Sequence, residues 1–162
     1  MLARELSNSN INHPGYRRAF LDWMACVWAG RDENAPRSAR VGGVEPVVAL
    51  AAAGHVLDFD DTYAPGLSHL SAPTAPAALS VGVDTGASIG EVLEAYADGF
   101  ETMAALARAG HPALYENGWH PTAVTGTVGA ATAAVRLLGL DDERATVARQ
   151  IAVLGAGGMR AA

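Results

Sequence analysis

The apolar positions of this chain recur mostly at helical intervals. Between Tyr16 and Ala29, Phe20, Met24, Val27 and Trp28 fall three or four residues apart with Leu21 beside them, which predicts a helix closed by Gly30. Residues 31–43 are charged or small and contain Pro36 and Gly42-Gly43, so a loop is expected there. Pro46 suits the first turn of a second helix, which runs through Val47-Val48-Ala49-Leu50 to about Leu57. A short helix is expected from Pro76 through Leu79. Ser88 and Glu91 then stand at capping-box spacing ahead of a stripe made of Val92, Tyr96, Phe100, Met103 and Ala107, and Gly110 supplies the stop. Another helix follows Pro121 to Leu138, with Gly139 as its end signal. Asp141 is a natural N-cap for a last helix reaching about Gly155. Val81 and Val83 are too few to make a strand, and no alternating run reaches useful length. The fold class is therefore mainly α: a polar, turn-rich arm over 1–15, then one helical domain over 16–162.

Composition sharpens this picture. Half of the 162 residues are apolar, many of them alanine, and 18 are glycine, which suggests helices packed closely through small residues. Gly126, Gly129, Ala130, Ala133 and Ala134 would allow such an approach. The net charge of −6 and the absence of any Lys or Arg run argue against a nucleic-acid partner, because neutralising phosphates takes clustered cations. No apolar run reaches the ~18 residues of a membrane span. Arg17-Arg18-Ala19-Phe20-Leu21 mimics a twin-arginine export signal, but Asp22 interrupts it and no small-residue cleavage site follows, so a cytoplasmic location is expected. The single cysteine, Cys26, can form no internal disulfide, and it reads as a buried structural thiol.

The chemistry is concentrated in three places: His55-Val56-Leu57-Asp58-Phe59-Asp60-Asp61-Thr62, His69-Leu70-Ser71-Ala72-Pro73, and Gly118-Trp119-His120-Pro121-Thr122. Three carboxylates in four positions repel one another and need a reason to be together. If the second helix persists this far, Asp58 and Thr62 share a face, Asp60 points elsewhere and Asp61 serves a local backbone donor. The plainer alternative is a helix end with turn-forming aspartates that cap the next element. His120 precedes a proline-initiated helix, whose N-terminal partial charge would disfavour the imidazolium; neutral imidazole can act as base or hydrogen-bond donor near pH 7. His13 and His111 each precede proline in turn-like sequence and are assigned no role.

Two chemistries compete for these residues. A metal could take His55, Asp58, His69 and His120, but their spacing matches no compact metal signature, and no metal is expected. The run Val56 to Thr62 also fits the Asp-x-Asp-x-Thr signature of haloacid-dehalogenase-type phosphotransferases, with Asp58 as nucleophile and Asp60 as acid. That chemistry requires the first aspartate at the end of a buried parallel strand, where this sequence reads as helix.

Taken in order, the three motifs resemble the MmgE/PrpD family. Gly126-Thr127-Val128-Gly129-Ala130-Ala131, Leu137-Leu138-Gly139-Leu140 and the opening helix with Leu21-Asp22 and Ala29-Gly30 are similar to it as well. The resemblance covers nearly the whole chain from Tyr16. It implies the all-helical large domain of a cofactor-independent lyase or isomerase that acts on small polycarboxylates, as do 2-methylcitrate dehydratase, cis-aconitate decarboxylase and iminodisuccinate epimerase. It further implies a homodimer and a separate small α+β domain that this sequence does not contain. By the same resemblance Asp58, Thr62, His69 and His120 are the catalytic positions, with His55, Ser71 and Thr122 touching substrate. No cofactor is implied.

Three departures from the family pattern stand out. Residues 31–45 are abridged, Leu70 follows His69 where proline is usual, and the chain contains no lysine for the site, the family's active-site lysines lying beyond Ala162. Little turnover by these 162 residues alone is therefore expected. The rival from another class is a non-catalytic helical module that survives by association, its alanine-rich helices after Ser88 and Pro121 pairing between chains.

Overall fold

The computed structural model describes residues 14–160. Eight α-helices occur among them: α1 Pro14–Gly30, α2 Asn34–Val41, α3 Pro46–His55, α4 Ser71–Thr85, α5 Ile89–Gly110, α6 Ala113–Glu116, α7 Pro121–Leu137 and α8 Asp142–Leu154. A single 3-10 turn spans Ala64–Gly66. No strand occurs among the described residues; two isolated bridges join Tyr63 to Ser68 and Trp119 to Met159. None of these helices is long and apolar enough to cross a membrane. The expected arm over 1–15 lies outside the described residues except for Pro14 and Gly15, which already belong to α1.

The architecture is built on α5 and α7, the most extensive helix pair, with α4 against both. Small residues make the pairing possible. A methyl group at Gly99 would come within 2.6 Å of the Gly129 carbonyl oxygen, and one at Gly129 within 2.9 Å of the Met103 Cβ. The alanine-rich α5 and α7 therefore pack closely against each other within the chain. Phe20, Trp23, Ala75, Ala78, Val92, Ala95, Tyr96 and Ala133 form the main core, where Phe20 and Tyr96 meet edge to face at 5.2 Å between ring centres. Leu70, Met103 and Ala104 form a second cluster beside the functional loop.

The α5 capping box is present as expected: the Ser88 hydroxyl accepts from the Glu91 N–H, and the Glu91 carboxylate accepts from the Ser88 N–H. Asp141 caps α8 through the Arg144 N–H.

Four expectations are corrected. Residues 34–41 are helical, not loop. Pro36 falls in the first turn, where its missing N–H costs nothing, while Arg37 and Arg40 donate to the carbonyls of Asp32 and Arg31. The buried face of α1 is Phe20, Trp23, Cys26 and Gly30, whereas Leu21, Met24 and Trp28 are exposed. Small residues fix that register: Gly30 sits against the Ala53 carbonyl, and Gly54 leaves the space that the Trp23 indole fills. Helix α3 stops at His55, so Asp58 and Thr62 do not share a helical face. Helix α4 starts five residues before Pro76 and carries that proline inside. Its cap comes from a distant stretch of chain, described next.

Candidate active site

The 15 residues between α3 and α4 carry the three aspartates, and each has a different task. Asp61 is the cap of α4. Its carboxylate accepts from the N–H groups of Leu70 (3.0 Å) and Ser71 (2.9 Å), two donors left without partners at the start of that helix. The expectation that Asp61 serves backbone donors holds, though these lie nine and ten residues away. Burial pushes the Asp61 carboxyl above its usual range, and the bonds from Ser71 and Leu70 act against that shift.

Asp60 is fully buried, and its carboxylate lies between two histidines. His55 Nδ1 is 3.0 and 3.1 Å from its two oxygens, and His69 Nδ1 is 3.4 Å from one of them. Asp58 is exposed, yet its carboxylate reaches within 3.4 Å of His69 Nε2. Its backbone lies in the left-handed region, with φ of 58°. Non-glycine residues rarely adopt that conformation, although aspartate tolerates it better than most. Such strain is held only where the surroundings enforce it.

The end of α3 supplies His55, and the residue two before α4 is His69; their rings meet at 4.8 Å with planes 61° apart. The position of His69 is fixed from α7 as well, because its N–H donates to the Thr122 hydroxyl at 3.0 Å. His120 is the N-terminal cap residue of α7, and its own N–H is bonded to the Gly158 carbonyl at 2.9 Å. The charges of His55 and His69 act on its imidazole.

The imidazoles are tuned in opposite directions. The hydrogen bond from Asp60 pushes His55 up, against the opposing effect of burial. Burial, reinforced by the neighbouring imidazoles, pushes His120 down. The expected neutral character of His120 thus has a different main cause from the helix terminus. One histidine is disposed to hold a proton and another to lack one, as a paired acid and base require.

The remaining expected residues divide. Thr122 is buried, with its hydroxyl supporting His69. Ser71 is fully buried, its hydroxyl 2.6 Å from that of Tyr96, so it ties α4 to α5. Thr62 is exposed. Cys26 is buried, and burial raises its thiol. Asp60 is the residue that the sequence reading leaves out of the family site. The signal that would have found it is a buried charge flanked by two histidines, which only the folded loop reveals.

Ligand atoms of His55, Asp58, Asp60 and His69 all lie within 4.8 Å of one another, a nitrogen and oxygen set of the kind that suits a borderline divalent ion. Asp60, not His120, completes that set. The phosphotransferase alternative finds no support, since Asp58 follows a helix end and no strand occurs among the described residues.

Residues 43–162 match the family model of the MmgE/PrpD N-terminal domain. No curated protein matches the chain.

Proposed function

The chain belongs to the MmgE/PrpD family, and from that membership we propose that it carries the aspartate–histidine side of a lyase or isomerase site for small polycarboxylates. The observation that supports this reading is the convergence of His55, Asp58, Asp60 and His69 within 4.8 Å, with His120 alongside. Dehydration needs one group to take the C–H proton beside a carboxylate and another to protonate the departing hydroxyl. Epimerisation needs a proton removed from one face and returned to the other. In this proposal His120, whose imidazolium is disfavoured by burial, is the base, and His69, between Asp58 and Asp60, is its acid partner.

All eleven basic residues of the sequence are arginine. The charges that act on His55 and His120 come from within the cluster itself. A polycarboxylate would meet three aspartates here, and stabilising its enolate-like intermediate takes cationic or hydrogen-bonding partners. The isolated 162 residues are therefore proposed to turn over little, with the cationic side supplied elsewhere in the functional protein.

The test is the protein expressed from its own reading frame, given 2-methylcitrate, cis-aconitate and iminodisuccinate in D2O. Product formation or deuterium incorporation beside a carboxylate is expected for one of them, with a loss on the order of 100-fold in His69→Asn and in His120→Asn. Full activity in both variants, or no exchange with any of the three, refutes the reading.

Self-association belongs to the same proposal. Leu21, Met24 and Trp28 on α1, and Val147, Ile151 and Leu154 on α8, are exposed apolar residues at helical spacing. A homodimer or larger assembly would cover them.

A further inference from the structure

Asp60 is a member of the cluster to which the proposed chemistry gives no step. Its side chain has no exposed surface. Withdrawing a carboxylate from water costs several kcal/mol unless neighbouring charge or hydrogen bonds offset it. The offset here comes from two imidazoles at 3.0 and 3.4 Å, each presenting the same ring atom, Nδ1. His55 Nδ1 is hydrogen-bonded to this carboxylate, whereas the buried His69 Nδ1 makes no hydrogen bond and has the carboxylate within 3.4 Å. An ionised carboxylate accepts hydrogen bonds and donates none, so an Nδ1 that faces it carries the proton. Each ring is then left with Nε2 as the atom that can take or release a proton. For His69 that atom is the one 3.4 Å from Asp58.

We propose that Asp60 is a shared positioning residue: one buried carboxylate holds both His55 and His69 in the Nδ1–H tautomer, so that proton transfer at this site runs through the Nε2 atoms of both rings. The tautomer assignment stands on the hydrogen bond to His55 and on the approach of Asp60 to the unpartnered His69 Nδ1; only its link to catalysis rests on the lyase or isomerase reading. A single carboxylate serving two rings also couples them. An imidazolium on one side neutralises the charge that the other ring feels, so the two act as a unit.

The experiment is long-range ¹H–¹⁵N correlation spectroscopy of the 15N-labelled chain, small enough at 16.6 kDa, at a pH where the imidazoles are neutral. Both His55 and His69 are expected as Nδ1–H, opposite to the Nε2–H form that a free imidazole side chain prefers in water. In Asp60→Leu no acceptor is left for either Nδ1, so both rings should return to Nε2–H. Where the reading frame's product shows activity, that variant should lose kcat with KM little changed. Nε2–H in either wild-type ring, or Nδ1–H retained in both rings of a folded Asp60→Leu, overturns the proposal. An Nδ1–H signature that vanishes with EDTA would mean that a cation on Nε2, not Asp60, sets the tautomer, and it overturns the proposal equally. If Asp60→Leu does not fold, the wild-type spectrum decides. Failure of the turnover assay with the expected tautomers intact would refute the proposed activity and leave this inference standing.

Discussion

Asp61→Ala separates the structural aspartate from the chemical ones. Asp61 receives two backbone N–H groups, at 3.0 and 2.9 Å, where α4 begins. Truncating an N-cap acceptor costs about 0.5–2 kcal/mol. The site is more demanding than an exposed cap, because Leu70 and Ser71 are fully buried and their donors would be left without water. An orphaned buried donor costs about 1–3 kcal/mol. Against this, the substitution removes a carboxylate whose own burial is unfavourable, as its raised pKa shows. The net expectation is a destabilisation of about 2–3 kcal/mol, placed inside those ranges because two donors are lost and one buried charge is relieved. Urea denaturation followed by circular dichroism measures it, with the slope checked for two-state behaviour. Because the raised carboxyl makes the fold bear a cost above that pKa, the deficit of the variant should be larger at pH 4 than at pH 7: protonation relieves the wild type as pH falls. A loss under about 0.5 kcal/mol would mean that other groups take over the two donors, and the account of why α4 starts at Ser71 would fail.

Other expectations follow from the same geometry. Gly99→Ala places a methyl group 2.6 Å from the Gly129 carbonyl oxygen; overpacking of about 1–3 kcal/mol should outweigh the roughly 1 kcal/mol gained from alanine's helix propensity, lowering the melting temperature. A rise would show that α5 and α7 can separate without penalty. His55 and His120 should respond to pH with opposite sign. The raised His55 contributes stability that is full below its ordinary value of about 6.5 and is lost as pH rises through the folded value. The lowered His120 contributes stability present above about 6.5 and lost as pH falls through the folded value. Thermal unfolding between about pH 5 and 8 should show His55→Gln losing most on the acid side and His120→Gln relatively improved there; parallel curves would contradict both assignments. Light scattering on a sizing column should show self-association that Trp28→Arg or Ile151→Asp weakens, and a clean monomer would remove the association proposal.

Local signals were readable where the partner sits close in sequence. The Ser88–Glu91 box, the Asp141 cap and the proline starts of α3 and α7 each involve groups within a few residues. The misreadings share the opposite property. Helix α4 begins at Ser71 because a carboxylate ten residues upstream caps it, and no local pattern carries that information. On α1 two apolar stripes were available, and the choice between them was made by Gly30 and Gly54 against other helices. The site divided in the same way. Asp58, His69 and His120 were reachable from ordered motifs, whereas the role of Asp60 exists only once the loop folds its side chain between two rings.

The left-handed backbone at Asp58 sets stability and chemistry against each other at one codon. Glycine is the residue best suited to φ of 58°, and replacing aspartate there would relax the loop by roughly 1 kcal/mol while deleting the carboxylate beside His69. Laboratory selection of this chain for heat resistance alone should therefore drift toward glycine at that position. Selection that also demands turnover should hold the aspartate and pay in thermal tolerance, making residue 58 a readout of which pressure a population of variants has experienced.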